Sequence, residues 1–254
     1  MPTERIEFPG SDGHRLSARL EKPEDGPTRA HALFAHCFTC TKNIRAAVQM
    51  SRALSEEGFV VMRFDFTGLG ESEGDFADTN FSSNVADLAA AGTFMEKELE
   101  GPRLLVGHSL GGAAVLHAAH GLESVRAVAT IGAPADPAHV LSHMEASRDE
   151  IRKRGEAQVS LGGRPFTIKE QFLEDLESSR MDPVIRELDR ALLILHSPRD
   201  EIVGVENAAK LYKMAKHPKS YVSLDDADHL LMKERDSAYA ARLLAAWVSR
   251  YLED

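Results

Sequence analysis

The sequence is poor in cysteine and has no long apolar run. Only two cysteines occur among the 254 residues, which excludes a scaffold held together by several disulfides. No apolar run approaches the roughly 18 residues that suggest a membrane-spanning helix. The charged segment Met1–Phe8 lacks the apolar core of a signal peptide. We therefore expect a cytoplasmic protein that has no membrane partner.

Basic residues are also scarce relative to acidic ones. Lysine and arginine total 30 against 40 aspartate and glutamate residues, which gives a formal net charge of -10. Nucleic-acid partners are not expected, because surfaces that bind phosphates concentrate lysine and arginine. The 43% of hydrophobic and 28% of charged residues are typical of a globular protein. The length favours a single domain over residues 1–254.

Short apolar segments alternate with longer amphipathic ones along the chain. The first two segments alternate polar and apolar residues like half-exposed strands, and the next five are continuous apolar runs like strands buried on both faces. Eight strands are predicted: Ile6–Phe8, Leu16–Leu20, Ala32–Ala35, Val60–Phe64, Leu104–Val106, Ala127–Ile131, Leu192–Leu195 and Tyr221–Leu224. Helical patterns between them predict an α/β fold, with an eight-stranded, mostly parallel sheet flanked by helices.

Residues 135–181 break this alternation. Two helical patterns, 138–154 and 169–179, enclose a predicted hairpin that turns at Gly162 and Gly163. The segment is too long to be a simple connection between a strand and a helix. We predict that it is a small helical and hairpin cap, inserted above the sheet within the single domain.

A Gly-x-Ser-x-Gly pattern spans residues 107–111, between a predicted strand and a predicted helix. A turn this tight needs small residues on both sides and projects the central hydroxyl above the sheet. We therefore predict that Ser109 is a nucleophile. The alternative is that its hydroxyl only caps the helix.

A serine nucleophile needs a general base, and the base needs an orienting carboxylate. His229 follows the last predicted strand and Asp200 follows the one before it, which gives the chain order Ser, Asp, His. We predict His229 as the base and Asp200 as its partner. Asp225, Asp226 and Asp228 lie too close to the histidine along the chain to reach its far nitrogen easily.

Acyl transfer also requires two N–H donors that face the developing oxyanion. The predicted donors are the backbone N–H groups of Leu110, directly after the nucleophile, and of Phe38, in the loop after the third strand. Cys37 and Cys40 flank Phe38, and we expect them to be free thiols that pack in this loop, with a redox role as the alternative. Two sulfurs alone do not complete a zinc site, so neither a metal nor a cofactor is expected.

Together these residues resemble the α/β-hydrolase superfamily over essentially the whole chain. Residues 36–43, the turn Asp65–Ser72 and residues 74–82 resemble more narrowly the bacterial serine hydrolase domain often fused to an OsmC-like, peroxide-detoxifying domain. The resemblance implies a carboxylesterase that acts on small-molecule short-chain or aryl esters through an acyl-enzyme, with a functional link to an OsmC-like domain. Thioesterase activity, perhydrolase activity and a non-catalytic binding module remain open alternatives on the same scaffold.

Four apolar residues of the predicted cap are candidates for the wall of the substrate pocket: Met144, Phe166, Phe172 and Leu173. Their alternative role is the packed core of the cap. The last predicted strand leaves backbone groups unpaired at the edge of the sheet, so it could pair with a second copy in a homodimer.

Overall fold

The computed structural model describes residues 3–252. Two residues at each end of the predicted domain lie outside the described residues, and Met1 and Pro2 of the charged N-terminal segment are among them. Ten strands are present: β1 (Thr3–Pro9), β2 (Arg15–Glu21), β3 (Ala30–Ala35), β4 (Phe59–Phe64), β5 (Leu104–His108), β6 (Ala127–Ile131), β7 (Glu156–Leu161), β8 (Arg164–Lys169), β9 (Ala191–His196) and β10 (Lys219–Ser223). Eight of them form one sheet in the order β1-β2-β4-β3-β5-β6-β9-β10, and β7 pairs with β8 in a separate hairpin.

Most neighbours in the large sheet are parallel. Only β2 runs antiparallel to its neighbours β1 and β4, while β4, β3, β5, β6, β9 and β10 pair in parallel. The predicted eight-stranded, mostly parallel sheet is therefore confirmed. Because parallel strands end at the same edge, the loops after β3, β5, β9 and β10 come together there.

Helices cover both faces of this sheet. They are α1 (Arg45–Glu56), α2 (Phe81–Glu98), α3 (Leu110–Ala118), α4 (Glu145–Arg154), α5 (Glu170–Ser178), α6 (Met181–Arg186), α7 (Glu206–Met214) and α8 (Glu234–Val248). On β3, Ala32 and Phe34 pack in the core that α1 and α8 cover, whereas Leu33 and Ala35 pack in the core under α2 and α3. Burial on both faces explains why the strand sequences are continuously apolar. No helix within residues 3–252 is both long and apolar enough to cross a membrane.

The segment between β6 and α6 consists of a 3-10 helix, α4, the β7–β8 hairpin and α5. The hairpin turns at Gly162 and Gly163, as predicted, and their φ angles of 58° and 77° favour glycine. The segment is fixed to the start of α2, where Asn80 Nδ2 donates to Gln171 Oε1 at 2.6 Å. The predicted boundary at residue 181 coincides with the start of α6, which packs against α3 and α7. Apolar side chains of the segment join the core under α2 and α3.

Candidate active site

Ser109 lies at the sharp turn that joins β5 to α3. Its backbone has φ 55° and ψ -126°, a conformation that costs a non-glycine residue about 1–3 kcal/mol. A Cβ at Gly107 would come within 2.3 Å of the Gly111 carbonyl oxygen, and one at Gly111 within 2.4 Å of the His36 carbonyl oxygen. Glycine at these two positions therefore lets the strand, the helix and the loop after β3 approach closely enough to form the turn.

Positive φ angles in non-glycine residues are confined to this region of the described chain. The three residues concerned are Thr39, Ser109 and Leu231, with φ angles of 60°, 55° and 49°. They belong to the loop after β3, the β5–α3 turn and the loop after β10, respectively. Backbone strain of this kind clusters at functional sites, where the surrounding structure holds it in place.

The structure brings the three side chains that we predict as a catalytic triad into one hydrogen-bonded chain. Ser109 Oγ donates to His229 Nε2 at 3.0 Å, and His229 Nδ1 donates to Asp200 Oδ2 at 2.7 Å. The serine and the histidine stand 120 positions apart in sequence, so the contact depends on the parallel sheet. In this arrangement the histidine can accept a proton from the serine while the carboxylate fixes its orientation.

Asp200 is rigidly held as a carboxylate. Burial alone raises its pKa, but the hydrogen bond to His229 and those from the Val203 and Ile202 amides outweigh burial and leave the pKa below the ordinary aspartate value. The two amides donate to Oδ1 at 2.8 and 2.9 Å, which leaves Oδ2 for the imidazole. Gly132, which follows β6, also contributes space, because a Cβ there would lie 3.0 Å from Asp200 Oδ2.

His108 is a neighbour of the triad that the sequence reasoning missed. It is 2% exposed, and its Nε2 donates to the backbone carbonyl of His229 at 2.6 Å. Burial and the nearby His229 lower the pKa of His108 to about 3. Its position directly before Ser109, at the end of a buried strand, was a signal that could have drawn attention to it.

The loop after β3 carries the candidate oxyanion donor Phe38. Within the described part of the chain, neither the Phe38 amide nor the Leu110 amide has a hydrogen-bond acceptor. Cys37 and Cys40 are joined by a disulfide across this loop, with their Cα atoms 5.3 Å apart. The expectation of two free packing thiols was therefore wrong. Only two residues lie between the cysteines, and the Cys40 amide donates back to the Cys37 carbonyl, so the loop itself brings the sulfurs together.

The same loop is anchored at its other end by a buried ion pair. Lys42 and Asp65 are both inaccessible to solvent, and Lys42 Nζ lies 2.5 Å from Asp65 Oδ2 and 2.8 Å from Glu71 Oε2. Arg164 of the β7–β8 hairpin donates to the Thr39 carbonyl. The loop is thus fastened to the turn after β4 and to the inserted segment.

The four candidate pocket residues of the cap lie mainly in the packed core. Met144, Phe172 and Leu173 are 1%, 2% and 0% exposed. The Phe172 ring stacks on Phe38 with centroids 5.2 Å apart, and half-buried Phe166 packs on Phe76 at 4.9 Å. Their substrate-binding role stays a prediction, while Phe172 contacts the loop that carries the candidate oxyanion donor.

A small cavity adjoins the two candidate oxyanion donors. It has a volume of about 10 Å³, roughly enough for a single water molecule. Its lining includes Phe38, Leu110, Phe81, Leu69 and Ala114. A long chain could enter this side of the site only if these side chains moved. Among residues 3–252, no group of three or more His, Cys, Asp or Glu side chains is placed to hold a metal ion.

The sequence is similar to that of a known protein family. The sequence model of the alpha/beta hydrolase family matches residues 32–242. The chain belongs to the alpha/beta hydrolase family. The narrower resemblance to hydrolases fused to an OsmC-like domain stays a prediction.

Similar structures and a curated relative agree with this family. The crystal structure of the esterase domain of a Rhodothermus marinus protein is 48% identical, with a TM-score of 0.79 and full coverage of both chains. The ferulic acid complex of Est1E from Butyrivibrio proteoclasticus is 21% identical, covers 97% of this chain and 99% of that one, and has a TM-score of 0.80. The mitochondrial palmitoyl-protein thioesterase ABHD10 of Mus musculus is 27% identical over 80% of this chain and 67% of its own. This alpha/beta hydrolase thus has both esterases and a thioesterase among its relatives.

Proposed function

We propose that the protein is a serine hydrolase that cleaves carboxylic esters of short acyl groups. The proposal rests chiefly on the hydrogen-bonded chain from Ser109 through His229 to Asp200, which starts from a strained serine at the end of β5. A serine with a purely structural role would need neither this series of hydrogen-bonded side chains nor this backbone conformation. The similarity to the esterase domain of the Rhodothermus marinus protein supports ester cleavage.

The proposed reaction begins when Ser109 Oγ attacks the ester carbonyl carbon and passes its proton to His229 Nε2. The carbonyl oxygen becomes an oxyanion, which the Leu110 and Phe38 N–H groups stabilise. The tetrahedral intermediate expels the alcohol, which takes the proton from His229, and leaves an acyl-enzyme. His229 then accepts a proton from a water molecule as the water attacks the acyl carbon. It passes this proton to Ser109 Oγ when the bond between Oγ and the acyl carbon breaks and the carboxylic acid leaves. Asp200 keeps the imidazole oriented and stabilises its charged form.

Short acyl groups are favoured by the cavity beside the candidate oxyanion donors. Its volume of about 10 Å³ holds about one water molecule, so any acyl group that enters must displace side chains such as Phe38 or Phe81, and each further carbon requires a larger displacement. Both rings are packed against other aromatic side chains, at 5.2 Å for Phe38 on Phe172 and 6.3 Å for Phe81 on His117. Displacing either ring would break these aromatic contacts, so longer acyl chains are expected to bind less well.

The deciding experiment is turnover of p-nitrophenyl butyrate by a Ser109→Ala variant. Loss of the nucleophile should leave less than about one part in a thousand of the wild-type kcat. Ser142→Ala is a suitable control, since its hydroxyl is exposed and donates only to the His139 carbonyl. Near-normal turnover by Ser109→Ala would disprove the proposed nucleophile.

Thioester hydrolysis is the second candidate function. It is favoured by the 27% identity to the palmitoyl-protein thioesterase ABHD10 of Mus musculus. Butyrylcholine and butyrylthiocholine differ at one atom, so the ratio of their kcat/KM values separates the two activities directly. A fluorophosphonate probe tests the binding-module alternative, because failure to label Ser109 in the folded protein would contradict both hydrolase functions.

A further inference from the structure

His108 connects the nucleophile turn to the loop that carries the candidate base. It is the last residue of β5 and precedes Ser109, while its ring reaches the backbone of His229. The two imidazole rings lie 5.0 Å apart at an angle of 43°. No other side chain of the described residues donates to the His229 carbonyl.

The chemistry of this contact fixes which nitrogen of His108 carries the proton. A carbonyl oxygen only accepts hydrogen bonds, so Nε2 must be the N–H in the contact of 2.6 Å. The other nitrogen, Nδ1, is buried and has no partner within residues 3–252. A second proton would therefore place an N–H where nothing accepts it, and the ring is held in its neutral Nε2–H form.

The charged and titratable groups around His108 come from three different loops. His229 belongs to the loop after β10, Asp200 to the loop after β9 and His36 to the loop after β3. A positive charge on His108 would oppose the imidazolium that the proposed mechanism forms on His229. A neutral ring can hold the base loop without this repulsion.

We propose that His108 is a positioning residue, which holds the backbone of His229 through its Nε2–H and so sets the distance between the imidazole and Ser109 Oγ. The inference rests on the proposed function. The carbonyl carbon is bonded to the Cα atom that bears the imidazole, so loss of the donor lets the backbone beneath the ring move and shifts Nε2 relative to Ser109 Oγ. A displacement of about 1 Å can lower turnover by about 100-fold.

Two substitutions test separately the hydrogen-bond donor of His108 and the volume of its ring. His108→Phe keeps a flat ring without a donor, whereas His108→Gln places an amide N–H near the position of Nε2. We expect His108→Phe to lower kcat for p-nitrophenyl butyrate by about tenfold to 100-fold with KM within about twofold, and His108→Gln to retain most of it. Equal losses in both variants, or no loss in His108→Phe, would overturn the proposal.

A nuclear magnetic resonance experiment on the wild-type protein tests the same contact without turnover. Long-range proton–nitrogen spectra of the histidine rings should show His108 as the Nε2–H tautomer, unchanged between pH 7 and pH 5. An Nδ1–H tautomer or a titration in this range would contradict the proposal even if His108→Phe did not fold. If the spectra agree but wild type neither hydrolyses esters nor reacts with a fluorophosphonate, the proposed function fails while the contact stands.

Discussion

The buried His108 ring should make the protein sensitive to acid by a predictable amount. Its pKa in the folded protein is about 3, whereas an unfolded histidine titrates near 6.5. Because the folded pKa is lowered, the stability associated with the neutral ring is fully present above pH 6.5 and is lost as the pH falls from there towards 3. Between pH 7 and pH 5 the unfolded chain gains a proton at this residue that the folded protein does not bind. The resulting loss of unfolding free energy is about 2 kcal/mol.

The assay is urea unfolding of wild type and His108→Gln at both pH values. The variant keeps a donor near the position of Nε2 but has no titratable ring, so its unfolding free energy should fall by about 2 kcal/mol less than that of wild type between pH 7 and pH 5. His120→Gln serves as the control, since His120 is exposed and also donates to a backbone carbonyl, that of Val184. It should lose as much stability in acid as wild type does. An identical loss in wild type and His108→Gln would refute a buried ring that stays neutral in the folded protein.

Three further outcomes are expected. Asp200→Asn should lower kcat by about 10⁴-fold in a turnover assay, because the histidine loses its orienting carboxylate. Since the Asp200 carboxylate has a lowered pKa, its protonation below pH 4 destabilises the folded protein, and urea unfolding should show a smaller loss of stability in the variant. Dithiothreitol should lower ester turnover by about tenfold, because reduction of the Cys37–Cys40 disulfide frees the loop that carries the Phe38 amide. A Cys37→Ser/Cys40→Ser double variant should not respond to the reductant, and unchanged wild-type activity would contradict this role of the disulfide. Phe81→Leu should enlarge the cavity beside Leu110 and raise the kcat/KM ratio of p-nitrophenyl octanoate to butyrate by about tenfold, whereas an unchanged ratio would place the acyl chain elsewhere.

The sequence was most informative where local patterns and chain order suffice. Continuous apolar runs predicted the buried strands, and glycines on both sides of Ser109 predicted the tight turn. Position after successive strands selected Asp200 and His229 as candidates, and the structure brings them together with Ser109. The predicted start of β10 lay two residues after the observed start, because an edge strand of mixed composition has a weak apolar pattern.

Features that depend on tertiary contacts could not be predicted in this way. The Lys42–Asp65 ion pair joins residues 23 positions apart, and charged residues are expected at the surface unless a partner is known. The role of His108 depends on the backbone of a loop 121 positions away. The Cys37–Cys40 disulfide depends on how the loop folds back on itself, which the spacing alone does not fix.

The left-handed backbone at Thr39, Ser109 and Leu231 sets a limit on how far this protein can be improved by selection for heat resistance. Each of these residues opposes folding by about 1–3 kcal/mol, within a net stability that is typically about 5–15 kcal/mol. Glycine at position 39 would relieve that opposition, so a thermostability screen should enrich it there, whereas glycine at position 231 would also remove a leucine that is 2% exposed and packed in the core. The same exchange removes the constraint that defines the loop. Thermostable variants that are selected without an activity assay should therefore accumulate substitutions at the rim of the site and have lower turnover.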